Sequence, residues 1–255
     1  MPRETIGNTL AVAAGVCVVC SLVVSTAAVG LRPFQEANKI LDQRRNILVA
    51  AGLLEPGEKA DVDALFERIE ARVVDLRTGE FAPDVSPDAL DVRRAARDPR
   101  QSTPLSTAED MASIKRKPNY QTIYLLRDGE NIRRVILPVY GLGLWSTMYG
   151  FVALDADMTT IESLSFYEHG ETPGLGGEID NPRWQEKWIG KKAYDEQGNP
   201  AIEVVKGGVR EGDPNAIHEV DAISGATMTS RGVENLLNFW LGDQGYGPLL
   251  AKLKM

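Results

Sequence analysis

The chain predicts an α+β domain carried behind a single apolar amino-terminal helix. Three observations point there. No charged residue occurs from Leu10 to Leu31, strand-like runs separated by short turns follow one another from Thr122 to Tyr167, and an amphipathic helical pattern opens near Thr227. The expectation is a single transmembrane helix followed by a soluble domain with a twisted, mainly antiparallel sheet and packed helices. Residues 1–9 read as a short tail, 10–31 as the membrane helix, 32–105 as a helical and connecting segment, and 106–255 as the main domain.

Taken in order, the uncharged run comes first. It meets the roughly 20 apolar residues needed to cross a bilayer. A cleaved signal peptide is the competing reading, with Arg3 as its charged start and Ser25-Thr26-Ala27 as a weak small-x-small site. The length of the run favours an uncleaved anchor. Pro33–Gly52 then reads as a helix, with Ala37, Ile40, Leu41, Leu48 and Ala51 on one face. Asp61–Val74 reads as a second, with Val62, Leu65, Phe66, Ile69 and Val73 aligned. Phe81–Leu105, rich in Pro, Asp and Arg, reads as surface connection. Thr122–Arg127 and Ile132–Tyr140 flank a four-residue hairpin loop, Asp128-Gly129-Glu130-Asn131. Strands Ser146–Leu154 and Ile161–Tyr167 follow, with Asp155-Ala156-Asp157 between them, and shorter ones at Ala201–Lys206 and Glu219–Ile223. Consecutive strands joined by short turns imply antiparallel pairing. At the end, Val233, Leu236, Leu237 and Trp240 recur at the spacing of one buried helical face.

Composition removes several function classes. With 28 basic and 36 acidic residues the net charge is −8, and no basic stripe with interleaved aromatics suggests nucleic acid. Cys17 and Cys20, the only cysteines, lie inside the apolar run and read as small hydrophobes, because no other cysteine and no nearby histidine completes a metal or redox site. No nucleophile elbow, phosphate-binding P-loop, zinc-protease or calcium-loop motif occurs. The chain is not expected to bind NADH or hydrolyse anything by itself, and no catalytic or metal-ligating residue is assigned.

The chemistry concentrates in Asp221-Ala222-Ile223-Ser224-Gly225-Ala226-Thr227-Met228-Thr229-Ser230. Gly225 permits a backbone conformation closed to other residues and a close approach of main chain to ligand. Ser224, Thr227, Thr229 and Ser230 offer hydroxyls, and the helix that begins there presents unpartnered amides and the positive end of its dipole. Such a site suits a phosphate, with Arg231 as a candidate countercharge. The plain alternative is an N-cap. Asp221 reads as a turn former. A second segment, Glu168-His169-Gly170-Glu171-Thr172-Pro173-Gly174-Leu175-Gly176-Gly177, is a glycine-dense loop. In it Thr172, Gly174 and Leu175 are candidates to meet a ligand, and His169 is a weaker candidate proton donor. In Gly141-Leu142-Gly143-Leu144-Trp145, Trp145 is read equally as core packing or as a ligand-facing ring. Trp184 and Trp188, four apart, read as packing residues.

Asp221, Ser224, Gly225, Ala226, Thr227 and Thr229 together resemble the flavinylation signature Asp-x-x-Ser/Thr-Gly-Ala-Ser/Thr-x-Ser/Thr. The resemblance implies FMN joined through its phosphate to Thr229 as a phosphoester, with Ser224, Gly225, Ala226 and Thr227 shaping the phosphate end and Thr172, Gly174, Leu175 and Trp145 near the ring. With the anchor, the Glu171–Gly176 loop and Gly141–Trp145 in the same order and spacing, the whole chain resembles the C-subunit family of the Na⁺-translocating NADH:quinone reductase. It is related through the FMN-binding domain to the G subunit of the Rnf complex. That likeness implies single-electron relay from an iron–sulfur centre in the membrane subunits to the FMN of the B subunit, within a complex that oxidises NADH, reduces ubiquinone and exports Na⁺. It also implies a separate flavin transferase using FAD, and a single-pass location in a bacterial inner membrane with the domain on the periplasmic side. The charge bias points the other way. Arg32, Lys39, Arg44 and Arg45 follow the span and only Arg3 precedes it, which by the positive-inside rule would hold the domain in the cytoplasm. The family orientation is adopted here. An Rnf-type carrier and a non-redox membrane-tethered binding module are the alternatives.

Overall fold

A computed structural model of the chain describes residues 5–210 and 212–254, so Arg3 and the start of the expected tail lie outside the described residues. Helix α1 runs without interruption over Ile6–Ala50 and joins the two helices expected on either side of Pro33. A proline's missing N–H removes one bond of the ladder, and here the helix continues through it. Its apolar part has a mean hydropathy of 2.4 and is a candidate membrane span by length and composition. Compact units divide between Gln43 and Arg44.

From Arg44 onward the chain builds one main sheet. Helix α2 (Val62–Phe66) is capped by Asp61, whose carboxylate accepts the Ala64 N–H. Then come strands β1 (Ile69–Asp75) and β2 (Glu80–Phe81), helix α3 (Val92–Arg97), and the short antiparallel pair β3 (Ser102–Pro104) and β4 (Arg116–Pro118). Strands β5 (Tyr120–Asp128), β6 (Asn131–Leu142), β7 (Thr147–Asp155) and β8 (Ile161–Glu168) follow as a meander. The sheet order is β2-β1-β5-β6-β7-β8, antiparallel throughout.

Alternation along the central strands sorts their side chains to two cores. Ile123, Leu125, Val135, Leu137, Val152 and Leu154 enter the larger one, with Trp184 of helix α4 (Pro182–Gln185), Trp188, helix α5 (Thr227–Leu241) and helix α6 (Gly247–Leu253). Tyr124, Leu126, Ile136, Phe151 and Ala153 face the other, closed by Ile47, Leu48, Ala50 and Ala51 from the end of α1 and by Val62 of α2. Helices therefore cover both faces, which is why the middle strands are apolar at almost every position rather than at every second one.

Three expectations are corrected. The helix expected over Asp61–Val74 ends at Phe66, and its second half is β1. Ile69, Ala71 and Val74 satisfy a strand period as well as a helical one, and pairing with β5 decides between them. The hairpin loop is tighter than four residues. Asp128 pairs with Asn131, leaving Gly129 and Glu130 at the turn with Gly129 at φ +61°. The last two short strands, β9 (Glu203–Val205) and β10 (Glu219–Asp221), form a separate parallel pair; the connection 206–218 is no short turn but long enough to bring the chain back to the end where β9 begins.

Candidate flavin-attachment site

Helix α5 begins at Thr227, as the pattern predicts, and buries Val233, Leu236, Leu237 and Trp240 against the sheet. Two glycines let it lie on β6. A Cβ at Gly141 would stand 2.7 Å from Leu236 Cβ, and one at Gly232 would stand 2.7 Å from the Leu142 carbonyl oxygen. Trp240 Nε1–H donates to the Tyr140 carbonyl at 2.7 Å, which fixes the helix along the strand. The start of the helix is thereby held beside the end of β6 and the loop that follows it.

No side chain caps this helix: the cap residue is Ala226. The motif hydroxyls are used otherwise. Ser230 Oγ accepts the Ile223 N–H at 3.0 Å and closes the turn on itself, with Gly225 at φ +75°. Thr229 is 1% exposed, and its hydroxyl donates to Glu171 Oε2 at 2.5 Å. The amides of the first turn receive no side-chain cap. Ser224, Gly225 and Thr227 stand exposed, and Ala226 is buried.

Glu171, 5% exposed, is the residue that the sequence reading passed over. Its Oε1 accepts the Trp145 N–H at 2.9 Å and the Ser146 N–H at 3.4 Å. Burial pushes its carboxyl upward, but the Thr229 hydroxyl and the amides of Trp145, Leu144 and Ser146 outweigh that and hold it below its ordinary value. Two further glycines make room for it. A Cβ at Gly143 would lie 2.6 Å from Oε1, and one at Gly176 would lie 2.7 Å from Oε2 and 2.5 Å from Thr229 Oγ1. One acid in a glycine-dense loop has no periodic or spacing signal. The only hint in the sequence is that two separate loops carry glycines that nothing local requires.

The two segments singled out from sequence thus converge on Thr229. Leu175 lies beside Gly225, where an added Cβ would meet Leu175 Cδ2 at 3.1 Å. The Thr172 carbonyl accepts the N–H groups of Leu175 and Gly177, and Gly174 takes φ +75° in that turn. Trp145 is not core. It is 69% exposed, and its backbone rather than its ring reaches Glu171. Leu144, Leu175 and Met228 are exposed too, each on one of the segments that meet at Thr229 and Glu171.

His169 braces the loop. Its Nε2 lies 2.7 Å from Asp180 Oδ2 and its Nδ1 accepts the Glu171 N–H at 3.1 Å, which assigns the hydrogen to Nε2. Asp221 is more than a turn former: its carboxylate binds Lys187 Nζ at 2.5 Å and the Val209 N–H at 2.7 Å. Trp184 and Trp188 are buried edge to face at 5.5 Å, and Trp184 Nε1–H donates to the Asp221 carbonyl. Arg231 is exposed.

Residues 143–242 match the FMN-binding domain family. Over 99% of the chain, 51% of residues are identical to the C subunit of the Na(+)-translocating NADH-quinone reductase of Yersinia pestis, covering 94% of that protein. Identity to the corresponding C subunit of Pseudomonas aeruginosa is 50%, with 99% and 97% covered. The crystal structure of Shewanella oneidensis NqrC superposes with a TM-score of 0.78 at 38% identity, over 86% of this chain and 99% of that one. Identity of this degree over the full length, on the same fold, places the chain in the C-subunit family of the Na⁺-translocating NADH-quinone reductases.

Proposed function

We propose that this chain is the electron-carrying C subunit of a Na⁺-pumping NADH:quinone reductase and bears FMN as a phosphoester on Thr229. The observation that carries the proposal is the buried Thr229 hydroxyl, held by Glu171 at the uncapped start of α5. The residues fit such a group. No capping side chain consumes the first-turn amides. Gly225 keeps the turn bare of side chain, and the exposed side chains of Leu144, Trp145, Leu175 and Met228 offer apolar surface to a flat ring system. Thr172, Gly174, Leu175 and Trp145 are assigned to the ring side, and Ser224, Gly225, Ala226 and Thr227 to the phosphate side.

When bound, FMN supplies one-electron transfer, and the protein supplies position and electrostatic tuning. A covalent tether stops loss of the carrier to an open compartment. Thr229 is covered by Gly176, so loading by a flavin transferase that draws on FAD requires residues 172–177 to move aside while Glu171 keeps its place beside the hydroxyl. In this reading residues 10–31 cross the bacterial inner membrane and the flavin-bearing domain faces the periplasm; it reaches back beyond the expected start at residue 106, because β1 and β2 belong to its sheet. Its partners are the B subunit with its own FMN, the iron–sulfur-bearing membrane subunits and the transferase.

The test is a denaturing gel of chain co-expressed with the transferase, viewed under ultraviolet light. A fluorescent band lost in Thr229→Ala and kept in Thr227→Ala is expected, with an intact mass raised by FMN less one water. An unmodified mass in native material would overturn the covalent assignment, and a colourless protein besides would leave a membrane-tethered, non-redox module.

A further inference from the structure

A buried carboxylate on a threonine hydroxyl asks for a reason. Among the described residues no lysine or arginine pairs with Glu171, and its acceptors are filled by a hydroxyl and by backbone N–H groups alone. A neutral oxygen would satisfy the same donors without bringing a charge to a site that is 5% exposed. Gly143 and Gly176 hold space for its two oxygens, one each. The fold thus spends two glycines and the burial of an ionised group on accepting one hydroxyl hydrogen.

We infer that Glu171 is the carboxylate that orients the Thr229 hydroxyl and takes its proton when the flavin is attached. The inference rests on the reading of Thr229 as the attachment point. In the step, Thr229 Oγ attacks the flavin-side phosphorus of an FAD phosphoanhydride. The Oγ–P bond forms, the bridging P–O bond breaks, and AMP leaves with that electron pair. The hydroxyl proton passes to Glu171 and on to solvent. The hydrogen bond at 2.5 Å already aims the hydrogen at Oε2 and leaves the oxygen's lone pairs directed elsewhere, the arrangement needed for attack. In phosphoryl transfer such an acid acts chiefly by positioning the nucleophile, as the catalytic aspartate of kinases does. In Glu171→Gln one amide oxygen must still serve the Trp145 and Ser146 N–H groups, which turns the amide NH₂ toward Thr229. The hydroxyl then becomes an acceptor, with its hydrogen pointed away from any base.

The experiment follows covalent labelling of the full chain in detergent by purified transferase and FAD, read as in-gel fluorescence and intact mass against time. Wild type, Thr229→Ala, Glu171→Gln and Glu171→Ala are compared, the last with and without added formate. Folding of each variant is verified by circular dichroism. Expected is a loss of about 10²-fold or more in labelling rate for Glu171→Gln, the usual scale of a general base. Glu171→Ala should be similarly slow and should recover in part with formate but not with chloride, a response that a purely structural defect would not give. Labelling of Glu171→Gln at the wild-type rate, or a Glu171→Ala chain that formate leaves unlabelled, overturns the inference. A wild-type chain that stays unlabelled refutes the attachment at Thr229 instead.

Discussion

Gly176→Ala isolates the contact on which the site depends. The added methyl would stand 2.5 Å from Thr229 Oγ1, 2.7 Å from Glu171 Oε2 and 3.1 Å from Glu171 Cβ. The two nearest atoms are side-chain ends, which rotate more cheaply than backbone shifts. The methyl therefore separates hydroxyl from carboxylate and leaves the fold standing. Gly176 is not at positive φ, so no backbone penalty adds to this. What is lost is one hydrogen bond to a charged acceptor, about 1.5–3 kcal/mol. In a domain of this size each kcal/mol moves Tm by about 2–4 °C, so a fall of about 3–12 °C is expected. Gly174→Ala is the control. It sits at φ +75° with nothing within 4 Å of an added Cβ, so it carries only the left-handed penalty of about 1–2 kcal/mol and leaves Thr229 and Glu171 paired. Thermal unfolding by circular dichroism and the in-gel flavin assay are run on both. Gly176→Ala should lower Tm and slow labelling by about 10²-fold, the scale of a misplaced reacting group, whereas Gly174→Ala should lower Tm and label as wild type does. A Gly176→Ala chain that melts and labels like wild type would refute the close packing of the loop on Thr229.

Thr229→Ser keeps the hydroxyl and Thr229→Ala does not, so the serine variant should be the more stable by about 1.5–3 kcal/mol in denaturant titration; equal stability would mean that the bond to Glu171 contributes nothing. Glu171 is held below its ordinary value of 4.5, so its stabilisation is present above that pH and is lost as pH falls through the lower folded value. Stability should therefore decline as pH drops below 4.5, less steeply in Glu171→Gln, with Asp75 and Asp221 contributing the same sign in both chains. Identical slopes would contradict the assignment. Trp145→Ala, at an exposed position, should change stability by no more than about 0.5 kcal/mol yet alter the absorption and fluorescence of the attached flavin; an unaltered spectrum removes that ring from the site. Gly232→Ala meets the Leu142 carbonyl, a backbone atom that cannot rotate away, and should destabilise by about 1–3 kcal/mol in the same titration.

Local signals were legible in the sequence. The uncharged run, the meander from Tyr120 to Glu168 and the start of α5 at Thr227 all rest on periodicity and turn chemistry that act over a few residues. The Ser-Gly-Ala-Thr segment was legible for the same reason: its glycine turn and hydroxyls are contiguous. Tertiary pairing settled the rest. Ile69–Asp75 became a strand because β5 offered it an edge, although its apolar spacing fits a helix equally well. Trp145 stayed on the surface because its loop bends away to give its N–H to Glu171. Glu171 itself, 58 residues from Thr229, has nothing in its neighbourhood of the chain to mark it. A hydrogen bond across such a separation is written in no periodicity; it exists only once α5 is laid along β6 and the loop after β8 folds over the helix start.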